Sequence, residues 1–185
     1  MKHALLPLAL AFLPACISRA PVVPVQYFRP ALKEPRVEEI AGTRPLRLDP
    51  VVQPTEIGVE MLWRVSATEL VPDETNLWAR RPDELLDERL RDLLYGAGGF
   101  RPAFGASDPT LRVGITRYEG DLHGKQAASL ELIATLTEGD RRESRTRFHV
   151  EVELAERSAE ALAVAMGAAL ESAAERVEAW VVERL

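Results

Sequence analysis

Cys16 is the only cysteine in a chain of 185 residues. Directly before it stand Leu13, Pro14 and Ala15. An aliphatic residue and two smaller ones ahead of a cysteine form the pattern cut by the lipoprotein signal peptidase. The thiol at the new amino terminus then takes a thioether-linked diacylglycerol. Pro14 departs from the Ala, Ser, Thr or Val more usual at its place. The residues upstream fit an export leader, with a basic head (Met1, Lys2, His3) and an uncharged apolar run from Ala4 to Phe12. That run falls well short of the roughly 20 residues needed to span a bilayer. Ser18-Arg19-Ala20 would satisfy the general signal peptidase only loosely. A lone cysteine in an exported chain has no internal disulfide partner and needs another purpose, which favours acylation of Cys16. One acyl chain binds a membrane marginally and two signals hold stably, so three chains on Cys16 would anchor permanently. Ile17, not Asp, follows the cysteine, which makes the outer membrane the expected destination.

Other chemistry-bearing residues are sparse. Besides His3, the histidines are His123, in a loop, and His149, on the polar side of a strand pattern. With no second cysteine and no histidine pair at ligand spacing, no zinc site is expected, and no cofactor beyond the acyl chains on Cys16. Gly96, Gly98 and Gly99 follow a helix pattern, whereas a phosphate cradle follows a strand and opens a helix. Gly120 to Lys125 imitates a P-loop with one residue too few, and Gln126 replaces the Ser or Thr that would hold magnesium. No Ser-His-Asp set is evident, so no catalytic residue is assigned and the chain is not expected to be an enzyme. Candidate partner contacts are Trp63 and Trp78, should they face outward, and a basic cluster containing Arg141, Arg142, Arg145 and Arg147. The net charge of −6 comes without a basic stripe, which argues against nucleic acid as a partner.

These residues need a scaffold. Residues 1–15 read as the leader and 16–26 as a tether, extended by Pro21 and Pro24. Residues 27–185 read as one domain. Strand patterns of period two cover 44–52, 59–70, 110–118, 127–137 and 146–154. A shorter strand at 76–80 pairs with 59–70 across a turn expected at Pro72-Asp73-Glu74. Pro82, Asp83 and Glu84 start a helix whose stripe is Leu86, Leu90, Leu93 and Leu94, ending at Gly96. Arg89 and Arg91 lie off that stripe. A second helix runs from about 159 to 183, capped by Ser158. Its stripe holds Leu162, Met166, Leu170, Val177, Trp180 and Val181, with Glu160, Glu171, Glu175 and Glu178 mostly outside. The expected architecture is α+β: a mainly antiparallel sheet with two amphipathic helices packed on one face.

Three stretches together resemble the ABC-type transport auxiliary lipoprotein family. They are Met61-Leu62-Trp63-Arg64-Val65-Ser66, Asn76-Leu77-Trp78-Ala79-Arg80-Arg81-Pro82, and the leucine-rich run from Leu85 to Tyr95. Tyr27-Phe28 matches the family's start and Trp78 its tryptophan step, while Arg81 departs from the usual acidic residue before Pro82. The order of the later strands and the alanine-rich last helix also fits. The resemblance implies a non-enzymatic periplasmic lipoprotein of the cell envelope. Its partners would be an MCE-domain substrate-binding protein and the associated ABC permease and ATPase, which move phospholipids or other hydrophobic molecules between inner and outer membranes. It would act by tethering and docking, anchored in the membrane through lipid, with a homo-oligomer as a further expectation. A binding module for another envelope assembly, such as cell-wall synthesis, is the alternative reading.

Overall fold

The computed structural model describes residues 23–34, 42–97, 99–139 and 142–185. Cys16, the leader, most of the tether and Arg141 lie outside the described residues. Among the described residues the fold is α+β, with an open mixed sheet and two helices. The strands are β1 (Gln26–Phe28), β2 (Arg44–Leu48), β3 (Glu60–Arg64), β4 (Leu70–Trp78), β5 (Phe100–Pro102), β6 (Thr110–Asp121), β7 (Ala127–Glu138) and β8 (Arg142–Glu153). The helices are α1 (Pro82–Arg91), prolonged by a π-helical turn over Asp92–Ala97, and α2 (Ala159–Arg184).

The long ladders, β6 with β7 and β7 with β8, are antiparallel, as is the β3–β4 hairpin. The parallel pairings are short. On the side away from β7, β6 meets β2 near its start and β3 near its end, so the sheet forks. One arm continues from β2 to β5, and the other from β3 through β4 to β1. Among the described residues β8 pairs only with β7 and forms the far edge.

Alternation along β6 changes phase in mid-strand. Leu111, Val113 and Ile115 point into the core, and the register with β7 then slips between Ile115 and Arg117. A bulge of this kind turns every later side chain to the opposite face. Tyr118, an even-numbered residue, is therefore buried beyond it.

The core lies between the helices and one face of the sheet. Leu85, Leu86, Leu90, Leu93 and Leu94 are all buried, as are Leu162, Met166, Leu170, Val177, Trp180 and Val181. Pro82 occupies the first turn of α1, with Asp83 and Glu84 favouring the positive end of the helix dipole. Ser158 caps α2, its hydroxyl accepting from Ala161 N at 3.1 Å.

Several local expectations change. Pro72, Asp73 and Glu74 run inside β4, and the turn falls earlier, around Ser66. There Ser66 Oγ accepts from Glu69 N at 3.1 Å, and Val65 N donates to Glu69 O at 3.1 Å. Pro72 is tolerated because β1 covers β4 only over Asn76–Trp78, leaving that stretch of β4 paired on one side. Gly96 does not stop helical winding, which continues to Ala97. Among the described residues the first strand starts at Gln26, and the short strands β1 and β5 are additions.

Candidate docking surface

Trp63 lies at the bottom of an open groove of about 660 Å³ between the β3–β4 hairpin, β1 and the start of α2. Its position is set from below and from the side. Below it is Gly120, where a side chain would place Cβ 2.5 Å from the indole ring. To the side, Trp63 Nε1 donates to Asp73 Oδ2 at 3.2 Å. Asp73 is itself held by its neighbours, since Oδ1 accepts from Thr75 N and Asn76 N and Oδ2 accepts from Asn76 Nδ2. Burial works against ionisation of Asp73, but the hydrogen bonds from Asn76, Thr75 and Trp63 outweigh it and hold the carboxyl below its usual range. Phe28, Val65, Val71 and Leu122 give the groove apolar walls, and Arg157 and Glu160 supply charge at its rim. An indole ring half-exposed among apolar neighbours, with its N–H already satisfied, can stack on a partner side chain without stranding a polar group.

The other proposed contacts are placed differently. Trp78 is 2% exposed and packs edge-on against Tyr118, with ring centroids 5.3 Å apart. It belongs to the core and offers no contact to a partner. Arg141 lies outside the described residues, as does the side chain of Arg142, whose backbone pairs with Glu138 in the β7–β8 ladder. Arg145 and Arg147 are exposed on the outer face of β8, where Arg147 Nη1 is 3.5 Å from Glu131. His149 shares that face, 3.3 Å from Ser129 Oγ. His123 is exposed in the β6–β7 hairpin.

Sequence periodicity missed one ionic cluster. Arg89 and Glu171, both expected outside the helix stripes, are buried and face each other between α1 and α2. Glu171 Oε1 also accepts from Lys33 N at 2.8 Å, and Lys33 Nζ reaches Glu175 at 2.6 Å. The segment after β1 is thus strapped onto α2. At the crossing, Gly167 presents no side chain, and a Cβ there would lie 2.5 Å from the carbonyl oxygen of Ala31. The signal available in the sequence was the opposite charge of two residues that each interrupt a helix face, but nothing local says that the two faces meet. A partly buried ion pair links β3 to β6, with Arg64 Nε 2.5 Å and Nη2 3.0 Å from the Glu119 carboxylate.

The forked sheet, the two helices on its inner face and the strapped amino-terminal segment define a small α+β body that offers grooves and edges to partners. The family model for the ABC-type transport auxiliary lipoprotein component matches residues 32–178, and the chain belongs to that family. Among solved structures, a Xanthomonas campestris protein is similar at a TM-score of 0.72 and 19% identity, over 85% of this chain and 95% of that one. A second crystal structure, of an uncharacterized protein, gives 0.67 and 19%, over 85% of this chain and 99% of the other. At these identities the likeness shows the fold alone. No curated protein matches the chain.

Proposed function

We infer that this transport auxiliary component is an outer-membrane lipoprotein facing the periplasm. It serves an MCE-type ABC system that moves phospholipids or other hydrophobic molecules between the two membranes. Its role is to tether and dock. Acylated Cys16 holds the chain at the membrane, the proline-containing segment spaces the body from it, and the body engages the transporter assembly. The observation that carries this reading is the family match over residues 32–178, which spans β2 to β8 inclusive and most of α2. The Trp63 groove is the preferred contact, because it combines an aromatic anchor with apolar walls and a charged rim.

The test is membrane fractionation of wild type against Cys16→Ala, followed by mass spectrometry of co-purifying proteins. The expected result is wild type in the outer-membrane fraction together with an MCE-domain protein, and the variant released from it. Equal solubility of the two forms, with no transporter component recovered, would overturn the reading. Trp63→Ala should keep the anchor and lose the partner.

A further inference from the structure

β8 is twelve residues long and, among the described residues, pairs on one side only. Its phase is fixed by two hydrogen bonds. Leu154 N, next in line after β8, donates to Gln126 O at 2.8 Å, so even-numbered residues turn their backbone groups toward β7. Odd-numbered residues therefore turn theirs to the open edge, and there Arg176 Nη1 of α2 donates to His149 O at 3.1 Å. Those odd-numbered residues also carry the exposed outer-face side chains, which include Arg145, Arg147, His149, Glu151 and Glu153. From Arg145 to Glu153 the charge is graded, basic first and acidic last, with Glu143 standing ahead of that run.

We propose that β8 pairs with β8 of a second copy of this chain, antiparallel and about a two-fold axis at His149, to form one sheet continuous across a dimer. In that register Arg147 faces Glu151 of the second copy and Arg145 faces its Glu153, each pair occurring twice by symmetry. All of these are odd-numbered residues, so each pairing brings together backbone groups that already point outward. Moving the axis one step back, to Arg147, would oppose Glu143 to Glu151 and lose the match. On the inner face, half-buried Phe148 would meet the second copy's Val150, and Thr146 its Val152. The bond from Arg176 to His149 O would be exchanged for ladder bonds.

The flank of α2 fits the same arrangement. α2 lies over β7 and β8. Strand spacing then brings the two copies of α2 to roughly 10 Å, a distance at which helices pack. The groove beside β8, about 390 Å³ in volume, is lined by Val152, Ala161, Val164, Ala165 and Ala168. Small residues there permit close approach, and Val164 is 61% exposed in the single chain. The dimer does not depend on the transport reading.

The test is oxidative cross-linking of the full chain in cells. His149→Cys should give a disulfide-linked dimer, because hydrogen-bonded antiparallel partners have Cα atoms about 5.5 Å apart, within disulfide reach. Wild type, whose one cysteine is Cys16, and Glu143→Cys, whose two copies would lie about 40 Å apart, should not. Arg147→Glu in the His149→Cys background should cut the yield about tenfold by setting like charges opposite each other. Adding Glu151→Arg should restore it. Equal cross-linking by His149→Cys and Glu143→Cys, or no rescue by the double charge reversal, would overturn the proposal.

Discussion

Glu171 Oε2 stands 2.8 Å from Arg89 Nη2 and 3.0 Å from Arg89 Nε, and the two side chains are 7% and 5% exposed. The pair joins α1 to α2 and, through Lys33 N, both to the amino-terminal strap. Arg89→Ala leaves the Glu171 carboxylate with only the exposed Lys33 ammonium, at 4.0 Å, as a cation and should cost about 3 kcal/mol. Arg89→Met combined with Glu171→Leu should recover most of that loss, apart from about 1 kcal/mol for the Lys33 amide left without an acceptor. Urea unfolding midpoints compare the variants. A double variant no more stable than Arg89→Ala would contradict the pairing.

Gly167→Ala should lift the strap from α2. Its Cβ would lie 2.5 Å from Ala31 O and 2.6 Å from Ala31 N, both backbone atoms with little room to yield. The expected loss is about 1–3 kcal/mol. Hydrogen exchange should quicken over residues 31–34 and stay slow in β7. Unchanged exchange in the strap would mean that the crossing is not a tight one.

Acid should loosen the Trp63 groove. The carboxyl of Asp73 is held below its ordinary value of 3.8, so its contribution to stability is fully present above that value. It is lost as pH falls from about 4 down through the lowered value. Asp73→Asn should flatten this part of the acid unfolding curve, with Trp63 fluorescence as the local readout. An acid limb identical in both proteins would contradict the assignment.

Tyr118 predicts the opposite limb. Burial pushes its phenol far above the ordinary 10.0, and its hydroxyl has no hydrogen-bond partner among the described residues. Stability from keeping this group neutral is present below pH 10 and is lost as pH rises above it, because only the unfolded phenol ionises freely. Tyr118→Phe should leave neutral-pH stability unchanged or raise it by up to about 1 kcal/mol. It should also flatten the alkaline fall. Tyr95, also raised by burial, keeps some of that slope. A loss of several kcal/mol would mean that the hydroxyl has a partner.

What the sequence discloses depends on how far each signal reaches. Period-two alternation marked β6, β7 and β8, and period-3.6 stripes marked both helices, because each pattern is written within one element and a single buried face imposes it. The turn lies at Ser66 and not at Pro72-Asp73-Glu74, because Asp73, a turn-forming type, satisfies its side chain with Thr75 and Asn76 inside a strand. The bulge at Thr116 hid Tyr118 by changing the phase of a clean alternation. β1 and β5 carry too few residues to show any period. Arg89 and Glu171 fall off the apolar stripes because each is polar on its own helix, and the compensation comes from the other. For the same reason Trp78 and Trp63 looked equivalent, although one lies under the sheet and the other in a groove. The leucines needed only local pattern, whereas the contact surface needed to know which elements meet.

The strap also sets the order in which the body gives way under load. A pull arriving from upstream of Gln26 first meets β1, held to β4 by a three-residue parallel register. Next in series comes the Lys33–Glu171–Arg89 clip, fastened to two helices at once. A leash fixed at two successive points works as a mechanical fuse. The first stitch can peel away and lengthen the line while α1, α2 and the β6–β8 ladder stay folded. A load on the amino-terminal side would therefore release several residues of slack before it reached the helices and the β6–β8 ladder.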